Sequence, residues 1–244
     1  MKAVILAGGG KGLGTAGFNE KATIAVKGKA MISYVIEALE ASSYIKDILV
    51  IGDKYNLQDI IQGGTIKLLG GYPSILANLK YGVNFFEDAK RLLIISCDIP
   101  LITGQAIDQF VQRTHQGTAD IYYPVINKKL YLSFYPDIKR TYVTLKEGKF
   151  TGGNMLLMSP GILEKIEEPV EQLIKYRKRP LRMAQVFGVK SLLKLLFRQL
   201  SIGDLEGYIG KRFDIKARAI ISDFPQIAND IDRSEDIYLL EKYL

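Results

Sequence analysis

Two spacings of apolar residues alternate along the first half of the chain. Short aliphatic or β-branched runs at 3–6, 48–51, 66–69 and 92–96 read as strands. Segments 31–41 and 74–86 between them, and 103–114 after the fourth run, carry apolar residues at helical spacing. Alternation of this kind predicts repeated βα units over the first 115 residues, a parallel sheet with helices on both faces.

Beyond that point the order changes. Runs 121–125 and 130–134 flank Asn127-Lys128-Lys129, which predicts a hairpin or a partly antiparallel region. Segments 161–174 and 189–200 read as helices, 219–222 as a short strand and 235–243 as a closing helix. There is no internal repeat, low-complexity tract or long linker, so one domain over 1–244 is expected, with a helical insertion at about 164–210.

Composition narrows the class. With 48% hydrophobic and 24% charged residues the chain matches an ordinary globular protein. Its one cysteine, Cys97, cannot form an intrachain disulfide. The apolar N-terminal run is too short for a signal peptide, and no stretch approaches the length of a membrane span. A cytoplasmic protein is the expectation. The net charge of +7 favours anionic partners without choosing among them. Part of it is local: Lys175, Arg177, Lys178, Arg179, Arg182, Lys190, Lys194 and Arg198 occur with no acidic residue between them. A solvated face is the ordinary reading of such a run, and a basic groove or membrane-facing surface is the alternative.

In an open parallel sheet, ligands bind outside the carboxyl ends of the strands. The first run leads into Leu6-Ala7-Gly8-Gly9-Gly10-Lys11-Gly12-Leu13-Gly14. Glycines let backbone N–H groups approach phosphate oxygens without a Cβ in the way, and Lys11 adds positive charge. The segment is not a P-loop, because Gly12 rather than Ser or Thr follows Lys11. A dinucleotide fingerprint fits only at Gly12, Gly14 and Gly17, too far past the strand. Lys27-Gly28-Lys29 reads as a tight turn with exposed lysines. The fourth run ends in Ser96-Cys97-Asp98-Ile99-Pro100, which sets the Asp98 carboxylate at the sheet edge, suited to holding Mg²⁺ over a nucleotide's phosphates. A helix cap or Asx turn is its other reading. Cys97 reads as a small buried residue. In Asp230-Ile231-Asp232 a second carboxylate could reach the same edge, or cap the closing helix.

Taken in order, Leu6-Ala7-Gly8-Gly9, Lys21, Cys97-Asp98-Ile99-Pro100-Leu101-Ile102 and Asp230-Ile231-Asp232-Arg233-Ser234-Glu235-Asp236 resemble the NTP-transferase superfamily. The resemblance is to its molybdenum cofactor guanylyltransferase-like branch and covers most of 1–155 and 217–244. It implies an α/β fold of the Rossmann-like three-layer α/β/α kind, with a mostly parallel twisted sheet of nucleotide-diphospho-sugar transferase type. It also implies Mg²⁺-dependent transfer of a nucleoside monophosphate from an NTP, GTP or CTP, to a phosphorylated or carboxylated small molecule. On that pattern Leu6, Ala7, Gly8, Gly9, Gly10 and Lys11 contact the triphosphate and Lys21 approaches the phosphates. Asp98 and Asp232 hold Mg²⁺, with Lys11, Lys21 and Asp98 catalytic. Gly70 and Ser74, bounding Gly70-Gly71-Tyr72-Pro73-Ser74, meet base and ribose, and Gly152, Gly153 and Asn154 face the acceptor. Nucleic acid is not an expected partner, and no motif addresses oligomeric state.

The family loop usually carries an Arg after its glycines, whereas Lys11 is the cation here. That departure motivates one alternative, a nucleotide-binding regulator without turnover. Another is a metal-dependent glycosyltransferase, but its strand-end Asp-x-Asp is replaced here by the single carboxylate of Asp98. The insertion, lying outside the small guanylyltransferase pattern, is expected to put Leu192, Leu195, Leu196 and Leu200 on one helix face, with Lys194 and Arg198 outside. It follows the acceptor loop, so Arg177, Lys178 or Arg179 is expected to meet an anionic group of the acceptor.

Overall fold

The computed structural model describes residues 1–8, 21–61, 66–176, 194 and 198–244. Its first half repeats strand and helix: β1 (Lys2–Ala7), a β2–β3 hairpin (Ala25–Val26 and Lys29–Ala30), α1 (Met31–Glu40), β4 (Asp47–Gly52) and α2 (Lys54–Leu57). β5 (Ile66–Gly70), α3 (Ile75–Phe85), β6 (Leu92–Ser96) and α4 (Gly104–Thr114) follow. The expected turn closes the small hairpin, with Lys27 and Gly28 at φ 47° and 77°, the left-handed pair that a two-residue connection requires.

Side-chain alternation along the central strands builds two cores. Ala3, Ile5 and Ala7 of β1, with Leu93 and Ile95 of β6, face α1 and α4. Val4, Leu49, Ile51, Leu92 and Ile94 face α3 and α6 (Leu163–Tyr176). This is the three-layer arrangement, and it explains why the strand runs are apolar on both sides.

Strands β7 (Ile121–Asn127), β8 (Val143–Leu145), β9 (Gly148–Gly152), β10 (Met155–Met158) and β11 (Ala217–Ile221) complete a sheet that has nine strands among the described residues. Its order is β5-β4-β1-β6-β10-β7-β9-β8, with β11 on β7. The β5-β4-β1-β6 block and the β7–β11 pair are parallel, and β8, β9 and β10 make the antiparallel contacts. Between β9 and β10 the register slips. Val125 faces Gly152 whereas Tyr122 faces Leu157, so three steps along β7 answer to five on its partner. The extra residues, Gly153 and Asn154, bulge out at the edge where β1 and β6 end.

Two expectations are corrected. Residues 130–134 are not a strand: α5 (Lys128–Phe134) begins at Asn127, whose side chain accepts from the Lys129 amide at 2.8 Å. The apparent alternation of Leu130, Leu132 and Phe134 is misleading, because the buried members are Tyr131 and Tyr135, four apart, while Leu132 and Phe134 are exposed. The hairpin instead joins β8 to β9 through Gly148 at φ 143°. A further helix, α7 (Ile202–Phe213), starts at a Ser201–Asp204 capping box, a sequence signal that the leucine-rich run before it masked. Most of the expected helix over 189–200 lies outside the described residues; Lys194 is helical, and 198–200 are not. Of that stretch, Lys194 and Arg198 are exposed, and Leu200 is buried with Leu145 and Phe150. The chain closes with α8 (Ser234–Leu240).

Candidate active site

The carboxyl ends of β1, β4, β5 and β6 lie side by side, because these strands are parallel and in register. Leu6, Ala7 and Gly8 end β1 there; Gly9, Gly10 and Lys11 lie outside the described residues. On one flank, the loop after β5 is pinned by Asn78 on α3. The Asn78 side chain is fully buried, accepts from the Tyr72 amide at 2.6 Å and donates to the Tyr72 carbonyl at 3.0 Å. Gly71 donates to the Gly52 carbonyl at 2.7 Å, so close that a Cβ on Gly71 would sit 3.2 Å from the Gly52 Cα. Gly70 is exposed, and the Ser74 hydroxyl caps α3 by accepting from the Ala77 amide at 3.4 Å.

Asp98 and Asp232, 134 positions apart in sequence, meet because Ile231 is fully buried in the main core and its amide donates to the Asp98 carbonyl at 2.9 Å. Burying Ile231 turns its two neighbours, Asp230 and Asp232, toward Asp98. Carboxylate oxygens of all three lie within 4.8 Å of one another. Helix capping does not claim this pair: the Asp236 carboxylate accepts from the Asp232 and Arg233 amides, at 3.0 and 2.8 Å, ahead of α8. The Ser96 hydroxyl bonds Asp98 from the other side.

Lys21, from a single 3-10 turn, places its Nζ 2.9 Å from Asp98 Oδ2 and 2.7 Å from Asp232 Oδ1. Burial would lower its pKa, but the two carboxylates outweigh burial and hold the ammonium well above its ordinary value. Asp230 is paired with Arg140 and accepts from Asn154 Nδ2 at 3.1 Å. Burial pushes its carboxyl up, against the pull of Arg140. Asn154 also ties the bulge into the site: its amide donates to the Ile227 carbonyl at 3.0 Å and its carbonyl accepts from Ser96 at 3.0 Å. Gly153 packs so tightly that a Cβ would fall 2.6 Å from Ile227 Cγ2, and the Tyr123 hydroxyl donates to its carbonyl at 2.8 Å. Next to Asp230, the Tyr131 hydroxyl donates to Asn229 Oδ1. Among the described residues, Arg140 Nε, the Tyr142 hydroxyl and Asn229 Nδ2 are buried without a hydrogen-bond partner.

Lys21, Asp98, Asp232, Asn154 and the β1 end thus gather at one edge, with Gly70 and Ser74 on its flank. Arg177, Lys178 and Arg179 lie outside the described residues. Asp230, Arg140, Asn78 and Tyr123 join the site without having been singled out as site residues from sequence. Asp230 alone had a signal, its place in the Asp230-Ile231-Asp232 motif, of which only Asp232 was expected to bind metal; nothing in the spacing marks Arg140 or Asn78. Among the described residues no helix is long and apolar enough to cross a membrane.

A divalent cation suits this donor set. Three carboxylates with oxygens within 4.8 Å of one another, and no thiolate or imidazole among them, are hard oxygen ligands of the kind Mg²⁺ prefers.

Among solved structures, a hypothetical transferase from Thermus thermophilus is similar at 31% identity and TM-score 0.83, over 97% of this chain and 98% of its own. The fold is shared, at 13% identity and TM-score 0.62, with 4-diphosphocytidyl-2C-methyl-D-erythritol synthase from Anaerococcus prevotii, over 99% of this chain and 94% of that one. It is also shared with a CMP:2-keto-3-deoxy-manno-octonic acid synthetase complexed with CTP, at 12% identity and TM-score 0.62, over 99% and 96%. No curated protein matches the chain. Residues 3–187, which carry β1, β6, Asp98 and the bulge at Asn154, match the MobA-like NTP transferase domain, and the chain belongs to that family.

Proposed function

We propose that the protein is a Mg²⁺-dependent nucleotidyltransferase, one domain over 1–244 with its insertion at about 164–210. It transfers a nucleoside monophosphate from an NTP, GTP or CTP, to an anionic small molecule. The carrying observation is the Lys21–Asp98–Asp232 group, which lies between the pinned β5–α3 loop and the Gly152-Gly153-Asn154 bulge. A nucleotide held on the first side and an acceptor on the second would meet there.

A phosphate or carboxylate oxygen of the acceptor attacks the α-phosphorus, a P–O bond forms, and the bond to the β-phosphate oxygen breaks to release pyrophosphate. The chain's work is alignment and charge stabilisation. Mg²⁺, when bound by Asp98 and Asp232, neutralises phosphate charge. Lys21 supplies a permanent positive charge to the same phosphates, and Lys11 with the Gly8-Gly9-Gly10 loop would cradle them. Arg140 and Asn229, with unpartnered donors beside the acceptor loop, support an oxygen-rich acceptor group on that side.

Pyrophosphate release tests the reading, measured with each NTP, Mg²⁺ and panels of phosphorylated and carboxylated acceptors. Turnover is expected with one NTP, and Asp98→Asn should fold normally yet lose it. Turnover of a sugar nucleotide with no pyrophosphate would point to the glycosyltransferase alternative. An Asp98→Asn enzyme as fast as wild type would remove the metal assignment.

A further inference from the structure

Lys21 stands where a cation would. Its ammonium touches one oxygen of Asp98 and one of Asp232, at 2.9 and 2.7 Å, and these are two of the three carboxylates whose oxygens lie within 4.8 Å. The third, Asp230, is engaged by Arg140 and Asn154. A metal ion bound to Asp98 and Asp232 would compete with Lys21 for these two carboxylates. An ammonium and a divalent cation cannot share that space, because like charges a few ångströms apart in a half-buried site repel strongly.

We propose that Lys21 is a built-in placeholder for the divalent cation: it neutralises Asp98 and Asp232 in the nucleotide-free protein and is displaced when metal and NTP arrive together. The proposal rests on the metal reading of Asp98 and Asp232 given above. Its physical content is an exchange. Metal alone must evict the ammonium into solvent, where the ammonium regains water but loses two carboxylates. Metal with an NTP offers the ammonium a new anion, the phosphates, within reach of the same side chain. Metal and nucleotide therefore bind cooperatively, each tightening the other by the same factor. The enzyme avoids filling its site with a cation before the substrate is present.

A general field effect makes a different prediction, and Arg140 separates the two. Arg140 is a cation of the same charge held on Asp230, next to the cluster, whereas Lys21 bonds Asp98 and Asp232 directly. The test is Mn²⁺ binding to the full-length protein without nucleotide, followed by calorimetry and by the EPR signal of free Mn²⁺. Lys21→Met should tighten Mn²⁺ binding roughly tenfold or more, whereas Arg140→Gln should tighten it only about two- to threefold. A thermal melt gives a second readout: Lys21→Met should melt lower than wild type without metal, and Mn²⁺ should raise its melting temperature more than it raises that of wild type.

Asp98→Asn isolates the underlying metal reading. If Asp98→Asn binds Mn²⁺ as well as wild type does, the metal assignment itself has failed. If Asp98→Asn loses Mn²⁺ while Lys21→Met binds it no tighter than wild type, the metal site stands and the placeholder role is overturned. Equal tightening in Lys21→Met and Arg140→Gln also overturns it, leaving only the summed field of nearby charges.

Discussion

Asn78 is expected to hold the nucleotide side of the cleft in shape, and Asn78→Ala would release it. The side chain is fully buried and makes a reciprocal pair with the Tyr72 backbone, accepting at 2.6 Å and donating at 3.0 Å. Two neutral hydrogen bonds contribute about 1 kcal/mol each, and the vacated volume adds a further fraction, so the loss is about 2–3 kcal/mol. In a chain of this size that lowers Tm by roughly 5–10 °C. Tyr72 is half exposed, so water can replace the lost partners and the fold survives. The loop, however, is no longer fixed relative to Gly52, which Gly71 abuts, and the Asn78 amide that packs near Gly8 is lost. The expected kinetic signature is a rise in the KM for NTP of roughly tenfold, equivalent to about 1.4 kcal/mol of binding, with kcat nearly unchanged. Asn78→Asp is a sharper probe, since the carboxylate keeps the acceptor for the Tyr72 amide but turns an oxygen toward the Tyr72 carbonyl. Burial would raise the new carboxyl's pKa, so its penalty sets in as pH rises past the ordinary carboxylate range and fades in acid, where the protonated form can donate again. Steady-state kinetics and thermal melts across pH check both variants. If Asn78→Ala lowers Tm as expected while the KM for NTP stays at the wild-type value, the loop is not part of the nucleotide site.

Three further outcomes are expected. Gly82→Ala on α3 would set its Cβ 2.7 Å from Val4 Cγ1 and 3.0 Å from Ile51 Cδ1; overpacking should exceed the gain in helix propensity, for a net loss of about 1–2 kcal/mol by urea titration, and a stabilised variant would contradict the packing. The Asp204 carboxyl is held down to about 2 from 3.8, first by Lys194 and then by the amide and hydroxyl of Ser201. Its contribution is therefore complete above pH 3.8 and lost as pH falls through 2, so the stability gap between wild type and Asp204→Asn should close over that window. Replacing Arg177, Lys178 and Arg179 together by Gln should weaken acceptor binding and leave NTP affinity unchanged; equal loss for both ligands, or for neither, in calorimetric titrations would remove that role.

Much of the parallel half of the fold was legible in the sequence because its strands are apolar on both faces and its helices on one. β1, β4, β5 and β6 are bounded to within a residue at each end of the runs that predict them, and Asp98 could be placed because a carboxylate directly after such a run has only the sheet edge to occupy. Local chemistry also sufficed for the Lys27–Gly28 turn. Where the pattern was short, local reading failed: Leu130, Leu132 and Phe134 alternate like a strand, yet the Asn127 cap and the burial of Tyr131 and Tyr135 select a helix. Only the tertiary structure decided how the site is closed. Ile231 carries Asp230 and Asp232 to Asp98 because its own side chain must leave water, and the two-residue slip between β9 and β10 aims Asn154 at Asp230. Lys21 bridging two carboxylates 134 positions apart, and Arg140 pairing with Asp230, are products of chain crossing that no spacing encodes. Propensity and periodicity act over a few residues, whereas the charge balance of this site is set between segments that only burial of the core brings together.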